Sequence, residues 1–81
     1  MVEIGITRKP STKEFRVFWK EDGRDDEAKA YYTDYLTDAV ETLFDIESRN
    51  EEAGIPTKVS TSKLTTKLVR SYNESFGGAV G

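Results

Sequence analysis

Residues 33–53, TDYLTDAVETLFDIESRNEEA, restrict what this chain can fold into more than any other stretch. Leu36, Ala39, Val40, Leu43, Phe44 and Ile46 recur at short helical steps, the spacing that gathers side chains on one face of an α-helix. The pattern predicts a long helix begun near Thr33 or Thr37, either of which can supply an N-cap hydroxyl. Acids in the first turns suit the positive end of the helix dipole. Gly54 is a natural residue for the position just past the helix, and Pro56 forbids continuation. A second line follows the same helix: Asp34, Asp38, Glu41 and Asp45 stand at steps of 4, 3 and 4. The helix therefore offers an apolar face to a core and a row of carboxylates on another side.

That apolar face needs a sheet, and the first third of the chain supplies one. Val2, Ile4 and Ile6 alternate with Glu3, Gly5 and Thr7, the period of a half-buried strand. Pro10 within Arg8–Thr12 marks a turn, because proline has no N–H for a ladder. Glu14–Lys20 is the clearest strand, with Phe15, Val17 and Trp19 on one side and Arg16, Phe18 and Lys20 on the other. Asp22-Gly23 then reads as a type I′ hairpin turn, whose two central residues both need positive φ. A regular return over Asp25–Tyr32 sets Lys20 opposite Asp25, Val17 opposite Ala28 and Phe15 opposite Ala30, with Arg16 unfavourably opposite Lys29. Trp19 is expected against the helix, its indole edge near the hairpin end.

The last third supports two readings. Leu64, Leu68, Tyr72 and Phe76 fall at four-residue intervals beside Val69, which predicts a second helix over about Thr61–Asn73. Ser60 is its expected N-cap, with Val59 and Leu64 as a hydrophobic staple. The threonines and Val59 favour a strand instead. The helix is the preferred reading, preceded by a short extended piece at Lys58–Val59. The expected architecture is α+β: a three-stranded antiparallel meander packed on one long helix (β-β-β-α), plus a C-terminal helix. One domain covers residues 1–76, and residues 77–81 form a loose tail.

Composition removes several function classes. The chain has neither cysteine nor histidine, so it lacks the usual thiolate and imidazole ligands of zinc and the usual general base. No signal peptide and no run of about 18 apolar residues is visible. A cytoplasmic protein is the expectation. The acidic segment EDGRDDE does not match a calcium loop, which wants alternating oxygen ligands, a central glycine and a terminal glutamate. Carboxylate pairs abound, but on faces expected to be exposed, where nothing raises their pKa. A hydroxyl–lysine dyad such as Ser62/Lys63 or Thr65/Lys67 is better explained as a helix start with solvent-facing lysines. No enzyme, no cofactor and no metal is expected.

Charge carries the remaining information. Net charge is −3, yet residues 21–52 hold twelve acids against three bases, a local −9, while each flank is +3. Helices built for solubility mix signs at i,i+4; here like charges stack, and Asp22, Asp25 and Asp26 extend the negative field into the hairpin. Carboxylates three and four residues apart on a helix are about 5–6 Å from one another, near the spacing of phosphates along a strand. The candidate partner-binding residues are therefore Asp34, Asp38, Glu41 and Asp45, supported by Asp22, Asp25 and Asp26, with Tyr35 as an aromatic anchor.

Phe18 and Tyr31, with Arg16, Lys20 and Lys29, form an alternative surface on the sheet. The β-β-β-α order over residues 2–52 is similar to the arm-binding domains of phage-type integrases, which read DNA with such a sheet. Those domains are basic, whereas Asp25 and Glu27 share this face, which opposes phosphate contact. Phe18 and Tyr31 are better expected to pack under the C-terminal helix. In size and acidity the whole chain resembles the small inhibitors encoded by phages and mobile elements, of which anti-CRISPR proteins are the best-known class. The resemblance implies a non-enzymatic inhibitor acting in a host cell's cytoplasm, its acidic face docked on the basic nucleic-acid-binding surface of a protein complex. Two alternatives are a nucleic-acid-binding accessory protein using the sheet or Lys58, Lys63, Lys67 and Arg70, and a self-associating structural component of a phage.

Overall fold

The computed structural model describes residues 1–77. The expected tail falls outside the described residues from residue 78 onward, and so does the side chain of Phe76. The chain is a mixed α+β fold: β1 (Val2–Arg8), β2 (Phe15–Glu21), β3 (Arg24–Asp25), β4 (Tyr31–Thr33), α1 (Leu36–Glu52), β5 (Thr57–Val59) and α2 (Lys63–Tyr72). A single 3₁₀ turn, Glu27–Lys29, separates β3 from β4, and a π-helical turn, Asn73–Gly77, follows α2. No helix among the described residues is long and apolar enough to cross a membrane.

Alternation builds the antiparallel centre. β1 and β2 pair from Val2↔Glu21 to Arg8↔Phe15, so Ile4, Ile6 and Val17 share the inner face and are fully buried. Each such side chain contributes about 1.5–3 kcal/mol relative to an exposed one. The hairpin turn is as its residues require, with φ of 52° at Asp22 and 82° at Gly23.

Two features enlarge the expected meander. First, β5 adds to the free edge of β1 in parallel, from Val2↔Thr57 to Ile4↔Val59. The sheet is therefore five-stranded and mixed, in the order β3-β2-β1-β5, with β4 also on β2. The extended piece at Lys58–Val59 is a sheet member. Second, the regular return after the hairpin does not occur. Lys20 does face Asp25, but the 3₁₀ turn then takes up three residues, so that Val17 faces Tyr31, Arg16 faces Tyr32 and Phe15 faces Thr33. The expected pairs Val17–Ala28, Phe15–Ala30 and Arg16–Lys29 are thereby corrected. Asp26 drives the departure by capping the 3₁₀ turn, its carboxylate accepting from the Ala28 N–H at 3.1 Å. The slip also removes the like-charge pair and lets Lys29 lie 4.4 Å from the Trp19 ring centroid.

α1 covers the inner face with Ala39, Val40 and Leu43, all fully buried. Its start falls between the two expected caps, and neither threonine caps it. Tyr35 is the N-cap and makes no side-chain capping bond, while the Thr33 hydroxyl accepts instead from the Tyr35 N–H at 3.2 Å. The other end follows its residues closely. Gly54 has φ 73°, and the N–H groups of Ile55 and Gly54 donate to the carbonyls of Asn50 and Glu51, a full Schellman closure.

The ambiguous C-terminal stretch is a helix, as preferred. Its N-cap is Ser62 rather than Ser60, the Ser62 hydroxyl accepting from the Thr65 N–H at 3.3 Å. With that start, Val59 no longer occupies the staple position. Leu68 is buried, with Leu64, Val69 and Tyr72 packed around the same core. Thr65, 1% exposed, does unusual work for a helix residue. Its hydroxyl accepts from the Ile6 N–H at 3.0 Å and donates to the Ile6 carbonyl at 3.2 Å, covering the edge of β1 beyond the point where β5 ends.

Phe18 is buried, as expected, but by Gly5 and Lys20 on the outer face. It stands opposite Gly5 and is only 6% exposed. The missing Gly5 side chain makes room for its ring: a Cβ there would stand 2.5 Å from Phe18 Cζ and 2.7 Å from Ser60 Cβ. Lys20 covers the ring from outside, its Nζ 5.1 Å from the centroid.

Candidate functional site

The expected acidic surface divides into two parts with different chemistry. In the hairpin, each of the three named acids is engaged by the fold. Asp22 receives the N-terminal ammonium at 3.0 Å, and Asp26 caps the 3₁₀ turn. Asp25 accepts a two-pronged interaction from the Arg16 guanidinium at 2.9 and 3.0 Å. Arg16 also reaches Glu27 at 2.7 Å and the Tyr32 hydroxyl at 3.2 Å, and the Tyr32 hydroxyl donates to Glu27. The Arg16 side chain is only 12% exposed. Its hydrogen bond holds Asp25 below the usual carboxylate range, while Glu27 is lowered by the Tyr32 hydroxyl first and by Arg16 second. In return these partners, Asp25 foremost, raise the Arg16 pKa, so the cation is permanent.

This cluster also settles the geometry of the sheet's outer face. Arg16 is spent on carboxylates, Phe18 is buried, and Tyr31 faces the other way. Opposite Val17, it sends its hydroxyl to Asp38 on α1. Tyr32 is the aromatic residue that lies beside Arg16, and only the register slip could reveal that.

The row on α1 is arranged differently. Asp38, Glu41 and Asp45 lie on the ridge opposite the buried positions Ala39, Val40 and Leu43, as the helical period requires. Asp34 precedes the first turn in a bend, exposed and outside the helical line. Tyr35, the N-cap, is 71% exposed, the most exposed aromatic residue among those described. Asp38 accepts from the Tyr31 hydroxyl at 2.7 Å, and Glu41 from the Tyr72 hydroxyl at 3.0 Å. Among the described residues, Asp45 is the member of the row with a cation, Arg49, at 2.6 Å one turn on.

A tyrosine hydroxyl orients a carboxylate without cancelling its charge. It favours the ionised form: Tyr31, followed by Thr33, lowers the Asp38 pKa, and the tyrosine pKa values rise in exchange. Two members of the row are thus held in place by neutral donors on β4 and α2. Sequence periodicity located the row. The two tyrosines that fix it come from 7 and 31 residues away, and no local signal points to them.

The candidate nucleophiles are structural. The Ser62 hydroxyl caps α2 and donates to Thr65 Oγ1 at 3.0 Å, and Thr65 is committed to Ile6. Trp19 packs at the core margin and directs its indole N–H to Glu21 at 3.4 Å. No family model matches the chain, and no curated protein or solved structure is significantly similar to it.

Proposed function

We propose that this chain is a non-enzymatic docking protein, an acidic inhibitor that places the α1 ridge on the basic nucleic-acid-binding surface of a partner protein. One observation carries the reading: Asp38 and Glu41 are oriented by tyrosine hydroxyls and have no cation partner among the described residues. Four other acids meet a cation instead: Asp22, Asp25, Glu27 and Asp45. Carboxylates fixed in advance lose little rotamer freedom on binding, so more of the interaction reaches the affinity. Tyr35 adds an exposed ring at one end of the ridge, and Asp45 continues the row at the other. The hairpin acids, already paired or capping, contribute field rather than contacts.

The test is retention of partners from host lysate by the tagged chain, with and without nuclease treatment and added competitor DNA. The expected result is a nucleic-acid-binding protein held by the wild type, released by competitor, and lost from an Asp38→Asn/Glu41→Gln/Asp45→Asn variant. Glu41 and Asp45 are exposed and Asp38 is half-buried, and the amides at 38 and 41 keep an acceptor oxygen for their tyrosines, so stability should stay within about 1 kcal/mol of wild type. Equal retention by both proteins, or by neither, would overturn the proposal.

A further inference from the structure

The solvent ridge of α2 matches that of α1 in spacing and opposes it in sign. Lys63, Lys67 and Arg70 stand at steps of four and three, on the face opposite Leu64, Thr65 and Leu68. All three are exposed, and none is paired with a carboxylate among the described residues. Asp38, Glu41 and Asp45 stand at steps of three and four. Taken in opposite chain directions the two series coincide: Arg70 against Asp38, Lys67 against Glu41, Lys63 against Asp45. Successive levels lie about 4.5 and 6 Å apart along either axis.

Within one molecule the ridges do not meet. α1 and α2 are joined through Tyr72, whose ring stands edge-on to Phe44 at 5.8 Å and whose hydroxyl reaches Glu41. Both charged ridges are left facing solvent in one helix layer.

We propose that the α1 row is taken by α2 of a second copy of this chain, the two helices antiparallel and held by those three ion pairs. The inference rests on reading the row as a docking surface and names one occupant for it. A nucleic-acid backbone also suits the sign of α2, but the molecule disfavours it. The acidic row lies in the same helix layer, and residues 21–52 carry −9, so a polyanion meets repulsion where a second copy brings both signs. Exposed ion pairs are weak singly and screened by salt. Asp45 already has Arg49, so the weight falls on Asp38 and Glu41. The contact therefore forms at high protein concentration and low ionic strength.

Sedimentation equilibrium across a concentration series tests this with three proteins, each checked for folding by circular dichroism. They are the wild type, Asp38→Lys/Glu41→Lys/Asp45→Lys, and Lys63→Glu/Lys67→Glu/Arg70→Glu. At about 0.01 M salt the wild-type mass should rise with concentration, and at about 1 M it should return to the monomer. Each triple variant should remain monomeric alone, and an equimolar mixture of the two should associate, because each then carries the ridge the other lacks. Three results would overturn the inference: a wild type monomeric throughout, an α1 variant that still self-associates, or a mixture that stays monomeric. A monomeric wild type that binds a short DNA duplex through α2, with binding lost in the α2 variant, would assign that ridge to phosphates instead. If self-association fails while the α1 row still retains a basic partner from lysate, only this inference falls. If both fail, the docking reading falls with it.

Discussion

The two central strands of the sheet face the same difficulty and resolve it by different chemistry. Each changes neighbours partway along its outer edge. β2 is paired first by β3 and then by β4, and the step between them is a 3₁₀ turn secured by Asp26 and by the Arg16–Asp25–Glu27–Tyr32 cluster. β1 is paired first by β5 and then by one side chain, Thr65, whose hydroxyl stands in for a strand residue at Ile6. The first solution is charged and half-exposed; the second is neutral and buried. A backbone edge can thus be covered by groups that respond to pH and salt or by groups that respond to neither. The difference should appear in how each is disrupted.

The largest effect should come from Thr65→Val, which keeps the shape but leaves the Ile6 N–H and carbonyl without the hydroxyl. A buried donor left unsatisfied costs about 1–3 kcal/mol, so a loss of about 2–3 kcal/mol is expected in urea unfolding, nearly the same at pH 4 and pH 7. A loss under about 0.5 kcal/mol would mean that the hydroxyl is not what covers this edge.

Arg16→Met should cost less, about 1–2 kcal/mol at neutral pH, because Asp25 and Glu27 are 44% and 67% exposed and partly screened. Its cost should shrink as the carboxylates protonate. Denaturation of wild type and variant at pH 7 and at about pH 2, where both carboxylates protonate, measures that convergence; a penalty that does not change with pH would erase the contrast between the two edges.

The smallest effect is the wild type's own pH profile. Asp25, Glu27 and Asp38 are lowered in the folded state from ordinary values of 3.8, 4.5 and 3.8. Their contribution is therefore present above those values and is lost as pH falls through the folded ones. Tyr31 and Tyr72 are raised from 10.0, so their contribution is present below that value and is lost as pH rises through the folded ones. Melting temperatures should form a plateau across neutral pH with a fall on each side. A profile still flat at about pH 2 and about pH 11 would show that these bonds do not form in solution.

Much of the fold was legible because it depends on near neighbours. The apolar steps from Leu36 to Ile46, Gly54 before Pro56 and Asp22-Gly23 after an alternating strand each specify their element within a few residues. The α1 row was legible for the same reason, since helical period alone gathers Asp38, Glu41 and Asp45. The Phe18 environment was not, because it depends on Gly5 thirteen residues earlier and on Ser60. The hairpin return was missed because one capping side chain, Asp26, outcompeted the regular ladder and moved every later pair by three positions.

By itself, the sequence left the last third open between helix and strand, but it determined the long helix and its closure, the antiparallel pair and its tight turn, and the signs of the charged residues. These follow from backbone preference and periodicity, which act over one or two turns. Tertiary structure alone decided that β5 joins β1, that Thr65 completes an edge 59 residues away, and which carboxylates meet a cation and which only a tyrosine. Those outcomes depend on bringing distant groups within hydrogen-bond range. Many arrangements satisfy the same local pattern, and only the packed core selects one.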